Sequence, residues 1–437
     1  MASRGFEEKR SGPLRPSGST AAGPTTRAAA ARAAGELALA VLATPGPPQL
    51  TILGHLKRND KVRLGSACTS LRQASLPWFP EVIVAVKLGW IHMASLAAWL
   101  ERHQARLHLR LRKDVSRDAP ERSHSTIAAL PARLVSSVSA SYEIPAAASN
   151  FTALTRLDFE GWFADAERMP ASLLRPLSRL RQLSVSCVNL ETIIEEILAL
   201  PSLRQLQALQ LSRCSLQTIP PGLSALTHLT ALALIENNLG RSAAKVLTAL
   251  QCLQSLDLER CSLQGVPQQV SALTALTRLN VNGNGALQGG WQHMLPLTQL
   301  QDLDLGWLYL PLLPGEVFQL TALTRLDLTQ ARGDRFDSRP HLLLLTQLRD
   351  LSLEFCSLDE VPEQVSALTA LTCLSLSGNL ELAGGWQHLL PLIQLRHLFL
   401  QDVLPRGRTA PRQLAALPFL RVHCGYIHYI ESDSEAF

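Results

Sequence analysis

Aromatic residues are scarce in this sequence. Phe, Trp and Tyr make up 5% of the 437 residues, while hydrophobic residues as a whole make up 46%. The apolar material is therefore aliphatic, chiefly Leu and Ala, and a core built from one residue type points to repetition rather than to a unique globule. Long apolar runs are also missing. The longest, Leu37–Ala43 and Val82–Val86, fall well short of the roughly 18–20 residues of a membrane span. No membrane span is expected. The eight Cys include no CxxC pair and do not cluster at the ends of the repeats described below. Disulfide-capped secreted domains and zinc ribbons are thus disfavoured, and a reduced, intracellular compartment is expected. Basic residues exceed acidic ones by only 41 to 36. This is too small a surplus for a nucleic-acid binder, so no nucleic-acid partner is expected.

Signatures of chemistry are absent as well. The sequence holds no nucleophile elbow, phosphate-cradling Gly loop, metal-ligand spacing or kinase motif. Gly283-Asn284-Gly285 reads as a repeat loop, and Asp302 with Asp304 reads as a solvated strand face rather than an acid–base pair. The expectation is a protein that is not an enzyme, with no cofactor and no metal.

What is present is a period. The pattern LxxLxL begins at Leu154, Leu180, Leu206, Leu229, Leu253, Leu276, Leu300, Leu323, Leu348, Leu371, Leu395 and Leu417, with steps of 22–26 residues. Two units are complete: Leu229-x-x-Leu232-x-Leu234-x-x-Asn237-x-Leu239, and Leu253 to Leu263 with Cys261 in the Asn place. The LxL segment predicts a short strand with alternate side chains inward. Equivalent strands stack into a parallel sheet, and Ile219-Pro220, Val266-Pro267 and Val361-Pro362 begin the return. The column after each strand reads Cys214, Asn237, Cys261, Asn284, Leu308, Ala331, Cys356, Asn379. Its residues are expected to satisfy backbone groups inside the loop. A larger unit overlies this period: the stretch starting at Cys261 returns at Cys356, 95 residues later, with Trp291/His293 copied as Trp386/His388.

The array resembles intracellular leucine-rich repeats of the Ras-binding and plant disease-resistance type, with their VPxxVxxLxxLxxLxL units. The resemblance implies an α/β solenoid, a horseshoe with a parallel sheet on its concave side. Repeats are expected over 151–425, followed by a C-terminal tail over 426–437. Residues 93–150 are expected to hold degenerate first repeats, around Leu107–Leu111 and Leu134–Ser141, and the helix Met93–His103, acting as or lying beside the N-terminal cap.

Side chains between the leucines are expected to face a protein partner, either a substrate or a signalling protein. They include Asp158 and Glu160, then Asp257, Glu259 and Arg278. Further along come Asp302, Asp304, Arg325, Asp327, Asp350 and Glu354, with Trp307 and Phe355 at strand ends and Phe399 beyond. Acids beside aromatics suit a basic partner segment, steered by charge and anchored by rings.

Upstream, residues 1–35 read as a low-complexity tail. Residues 36–92 read as a small helical segment, with Leu50, Ile52, Leu53 and Leu56 on one short helix and Leu64, Cys68 and Leu71 on a second. Over 47–79 this segment resembles an F-box. Pro48, Ile52-Leu53, Leu56, Asp60, Leu64, Ala67-Cys68, Leu71-Arg72 and Pro77-Trp78 fill the family's places. Pro47, Gln49 and Leu71 depart from its usual residues. The resemblance implies a Skp adaptor held by Pro48, Leu50, Ile52, Leu53, Leu56, Asp60, Leu64, Cys68 and Leu71. The chain would then be the substrate receptor of a Skp–cullin–F-box ubiquitin ligase. Two alternatives stay open: helices that merely cap the solenoid, and an intracellular scaffold or regulator with no ligase role. The compartment expected is the cytoplasm, with the nucleus, axoneme or an organelle as alternatives.

Overall fold

The computed structural model describes residues 81–87, 93–112, 127–141, 143–164, 169–240, 245–310, 313–331, 340–403 and 412–424. The F-box-like residues Pro48, Leu50, Ile52, Leu53, Leu56, Asp60, Leu64, Cys68 and Leu71 lie outside them. The described residues hold one parallel sheet of fifteen strands, paired in strict sequence order. Its first strands are long: β1 (Glu81–Lys87), β2 (Arg106–Arg112), β3 (Val135–Ser141), β4 (Arg156–Ala164) and β5 (Gln182–Val188). β6 (Ala208–Ser212) is shorter, and β7 (Ala231–Ala233), β8 (Ser255–Asp257), β9 (Arg278–Asn280) and β10 (Asp302–Asp304) are three residues each. So are β11 (Arg325–Asp327), β12 (Asp350–Ser352), β13 (Cys373–Ser375), β14 (His397–Phe399) and β15 (Arg421–His423).

Repeat length explains the narrowing. The 26-residue units have room for α-helical returns, α2 (Ala171–Leu174) and α3 (Ile194–Leu198). Most later units of 23–25 residues return through a single 3₁₀ turn such as Gln268–Ala272 or Glu363–Ala367. Pro267 and Pro362 enter these turns at φ −60° and −61°. That is the angle the pyrrolidine ring imposes, so the turn starts without ordering cost.

Two expectations need correction. Residues 81–87, assigned to a helical segment, form β1, which pairs with β2 over its whole length. The helix Met93–His103 (α1) is present, but it connects β1 to β2. It is a return segment between two strands rather than a cap preceding the repeats.

The core is columnar. Leu256 sits opposite Leu232 and Leu279, and Leu303 opposite Leu279 and Leu326. All are at most 1% exposed. The first and last leucines of each unit, such as Leu253 and Leu258, form two further buried columns. Each leucine thus packs on the repeats before and after it, and burial of each contributes roughly 1.5–3 kcal/mol.

A polar spine runs beside the leucines. Asn237 Oδ1 accepts the backbone N–H of Cys214 and of Leu216, and its amide donates to the carbonyls of Leu211 and Leu234. Asn284 does the same for Cys261, Leu263, Leu258 and Val281. Cys and Asn alternate because each Asn serves the Cys before it. The Cys in turn donates its thiol backward, Cys261 Sγ to Leu234 O at 2.9 Å and Cys356 Sγ to Leu328 O at 3.2 Å. Burial pushes the thiols of Cys214 and Cys261 up to about 12, which keeps them protonated donors. At Leu308 and Ala331 the column turns apolar, and these side chains cannot supply such bonds.

A second ladder was not foreseen. Thr230, Thr277, Thr324 and Thr372 each donate Oγ1 and backbone N–H to a single carbonyl of the preceding repeat. These are the second threonines of the SALTxLTxL units, and they hold the entrance of each strand. No helix among the described residues is long and apolar enough to cross a membrane.

Candidate functional site

The candidate site is the face of the sheet turned away from the leucine columns, between β8 and β12. Three side-chain columns and one bend make it. The first column runs Ser255, Arg278, Asp302, Arg325, Asp350, in register. The centre column runs Asp257, Asn280, Asp304, Asp327, Ser352. The third holds Glu259, Asn282, Gly306, Thr329 and Glu354, two residues further on.

The centre column ends the strands. Asp257, Asn280, Asp304 and Asp327 each accept, on Oδ1, the backbone N–H two residues ahead, at 2.8–3.0 Å. Such a local bond competes with the ladder and bends the chain away. Immediately past it lies a column in left-handed conformation: Arg260, Gly283, Trp307, Gln330, Phe355 and Gly378, at φ between 50° and 73°. Their N–H groups still reach the next repeat, Trp307 N to Thr329 O at 2.7 Å and Phe355 N to Ser377 O at 2.9 Å. Trp307 and Phe355, expected at strand ends, therefore stand on a bend that projects a ledge along the sheet. Phe355 lies flat on Gly378, where an added Cβ would meet its ring at 2.3 Å. Tyr309, half exposed, lies against Gly285 on the same side.

The charges separate by column. In the first, Arg278 and Arg325 flank Asp302 at 3.1 and 3.8 Å. They neutralise Asp302 and leave the centre acids alone. Among the described residues, Asp257, Asp304, Asp327 and Glu354 have no cation within 4 Å. Asp304 accepts from Gly306 and from Asn282 Nδ2, both on Oδ1, and its second oxygen has no hydrogen-bond partner among the described residues. Desolvation, with the Asp327 carboxylate opposite, pushes Asp304 up to about 7. Desolvation likewise raises Asp257 and Glu259, where the two carboxylates also repel. Glu354 is raised by desolvation although Ser375 donates to it at 2.6 Å.

The expected face residues are thus only partly one site. Asp257, Glu259, Arg278, Asp302, Asp304, Trp307, Arg325, Asp327, Asp350, Glu354 and Phe355 fall on five consecutive strands and their exits. Asp158 is four strands away on β4 and is engaged by Arg156 at 2.8 Å, with Glu160 exposed beside it. Phe399 on β14 is stacked on His423, centroids 4.5 Å apart. Tyr309 and Asn282 belong to the site but carry no signal in the period, since they lie off the LxL positions.

The 95-residue copy adds a contrast. Between the copies, some exposed return positions are identical, Thr274/Thr369, Gln292/Gln387, Leu295/Leu390 and Gln299/Gln394, while Gln268/Glu363 and Thr298/Ile393 differ. On the sheet face nearly every pair differs: Asp257/Ser352, Arg278/Cys373, Asp302/His397, Asp304/Phe399 and Trp307/Asp402, with Glu259/Glu354 retained. Exposure alone does not separate the two sets.

Comparison with known proteins gives one family. The sequence model described as Leucine rich repeat matches residues 204–263. No curated protein sequence matches significantly. Among solved structures, the chain is similar to a leucine-rich-repeat protein of Leptospira interrogans. That likeness has 18% identity and TM-score 0.44, covering 72% of this chain and 89% of that one. It is also similar to an internalin of Listeria monocytogenes, with 17% identity and TM-score 0.42, covering 83% of this chain and 92% of that one. The period, the strand register, the Asn–Cys spine and the family match agree: the chain carries leucine-rich repeats and folds as a solenoid of them.

Proposed function

We propose that the chain is a protein-binding module in which a basic segment of a partner protein lies across β8–β12. One observation carries this reading: the face holds charge that the fold does not need. Asn280 caps its strand as Asp257, Asp304 and Asp327 cap theirs, but without charge. The carboxylates are half-buried and, among the described residues, have no cation within 4 Å, which opposes their ionisation. A partner's Lys or Arg side chains would remove that penalty. Trp307, Tyr309 and Phe355 beside them would supply the desolvated anchor typical of interface hot spots.

The isosteric changes Asp304→Asn and Asp327→Asn keep the caps and remove the charge. Titration of a fluorescein-labelled oligo-arginine peptide by fluorescence anisotropy should show affinity reduced about tenfold or more, mainly through slower association at low salt. Trp307→Ala should cost a natural partner more than about 1 kcal/mol. Equal binding by wild type and both Asn variants would remove the reading.

A finer function rests on the F-box-like residues 47–79: substrate receptor of a Skp–cullin–F-box ubiquitin ligase. In that reading the segment holds the adaptor and the sheet face holds the substrate, in the cytoplasm or nucleus. A pull-down of the full chain with purified Skp adaptor tests it. Wild type should bind, and Leu53→Asp or Leu56→Asp should not, because an unpaired carboxylate would enter a dry interface. Failure of the wild type favours the scaffold reading.

A further inference from the structure

The acids of β8–β12 have a counterpart at the other end of the same sheet. On β2 the leucines Leu107, Leu109 and Leu111 are buried, so Arg106, His108 and Arg110 line the face that the acids occupy further along. Arg110 stands in register between Ala85 and Ser139, both too small to screen it. Glu81, in register with Arg106, is 3.5 Å from His108, and neither Arg106 nor Arg110 has a carboxylate within 4 Å among the described residues. The nearest acid on the far side of β3, Asp158, is taken by Arg156. Between the two ends, β4 carries the Arg156–Asp158 pair and the exposed Glu160, and β5–β7 present Ser184, Ala208, Gln210, Ala231 and Ala233, a neutral track of mostly small side chains.

We propose that the partner segment is two-signed, its cationic stretch over β8–β12 and an Asp/Glu-rich stretch over β2–β3, joined across the neutral track. This rests on the reading of β8–β12 given above and adds the partner's polarity and span. A segment of one sign would be repelled at one end, whereas a two-signed one is attracted at both in a single direction. Charge complementarity of this kind fixes register and orientation. The span follows from the strand order. β2 and β10 are eight strands apart, roughly 38 Å at ~4.8 Å per strand.

The test uses the full chain and three labelled peptides, read by fluorescence anisotropy at low salt. One is a block of about six Arg. The others join an equal Glu block to it through Pro-rich spacers of about three or about twelve residues, the longer matching the span at ~3.1 Å per residue. The long-spacer peptide should bind at least about tenfold tighter than the Arg block, since its second contact is intramolecular. Arg106→Ala/Arg110→Ala should abolish that gain and leave the Arg block's affinity unchanged. No gain from the Glu block overturns the proposal. So does a gain that is larger for the short spacer and survives the double variant, which would put the anion near Arg421 and the histidines of β14–β15. If the Arg block alone fails to bind, or binds Asp304→Asn/Asp327→Asn equally well, the reading of β8–β12 falls, and this one with it.

Discussion

Asp304 and Asp327 stand directly opposite each other on paired parallel strands, and among the described residues no cation lies within 4 Å of either. Like charges in this relation destabilise a sheet. Asp304 is pushed from 3.8 up to about 7 by desolvation first and Asp327 second. A carboxyl raised on folding binds its proton more tightly in the native state. Its contribution is therefore present at low pH and is lost as pH rises through about 7. Asn282, Glu259, Gly306 and Thr329 complete its surroundings, and the raised Asp257, Glu259 and Glu354 act in the same direction. The thermal midpoint should fall between pH 6 and pH 8, and Asp304→Asn should flatten that slope. A midpoint that rises over this window in the wild type would contradict the assignment.

The Asn spine should be costly to break. Asn237 is 3% exposed and serves two N–H groups and two carbonyls. Asn237→Ala leaves all four in a dry interior, at about 1–3 kcal/mol for each group left unsatisfied. Urea unfolding should show a loss of about 3 kcal/mol or more, whereas Asn238→Ala, next to it but exposed, should stay within about 0.5 kcal/mol.

Leu256 is fully buried between Leu232 and Leu279. Leu256→Ala should cost roughly 2–5 kcal/mol. Amide exchange should rise on β7 and β9 as well as on β8, because repeats are stabilised by their neighbours. Protection lost on β8 alone would mean that the stacking carries less of the stability than the columns suggest.

The ledge should depend on a glycine. At Gly378 φ is +73° and a Cβ would collide with the Phe355 ring. Gly378→Ala should displace Phe355 and weaken partner binding along with stability. Gly289→Ala, where a Cβ meets nothing within 4 Å, is the control and should leave both unchanged. Calorimetry and anisotropy on the two variants separate these outcomes.

The spacing of leucines made the strands, their parallel order and the centre column legible before any coordinates. So were the Asn and Cys positions, because a side chain that must meet backbone groups in every repeat recurs at a fixed place. β1 was not legible. In EVIVAVK both faces are apolar, so no alternation marks it as a strand, and it lacks the LxxLxL frame. The left-handed column was hidden for another reason. Arg, Glu, Trp, Gln and Phe occupy it as well as Gly, so residue type gives no sign of the conformation. The split between a neutralised first column and an unpaired centre column needed the register. Along the chain, Arg278 has no acid nearer than Glu259, 19 residues before it, and its true partner Asp302 is 24 residues away. The F-box-like residues lie outside the described structure and stand on their sequence pattern.

Strict neighbour pairing of the strands has a consequence for how the chain reaches this state. From β4 onward each strand meets its next partner after one repeat, 23–26 residues later, wherever it sits in the array. Loop-closure entropy grows only with the logarithm of loop length, so every docking step faces nearly the same cost. Lengthening the array adds steps without adding longer-range ones. A ribosome extending the chain from its N-terminus can therefore hand over one repeat at a time, each new strand finding its template already laid down by the one before.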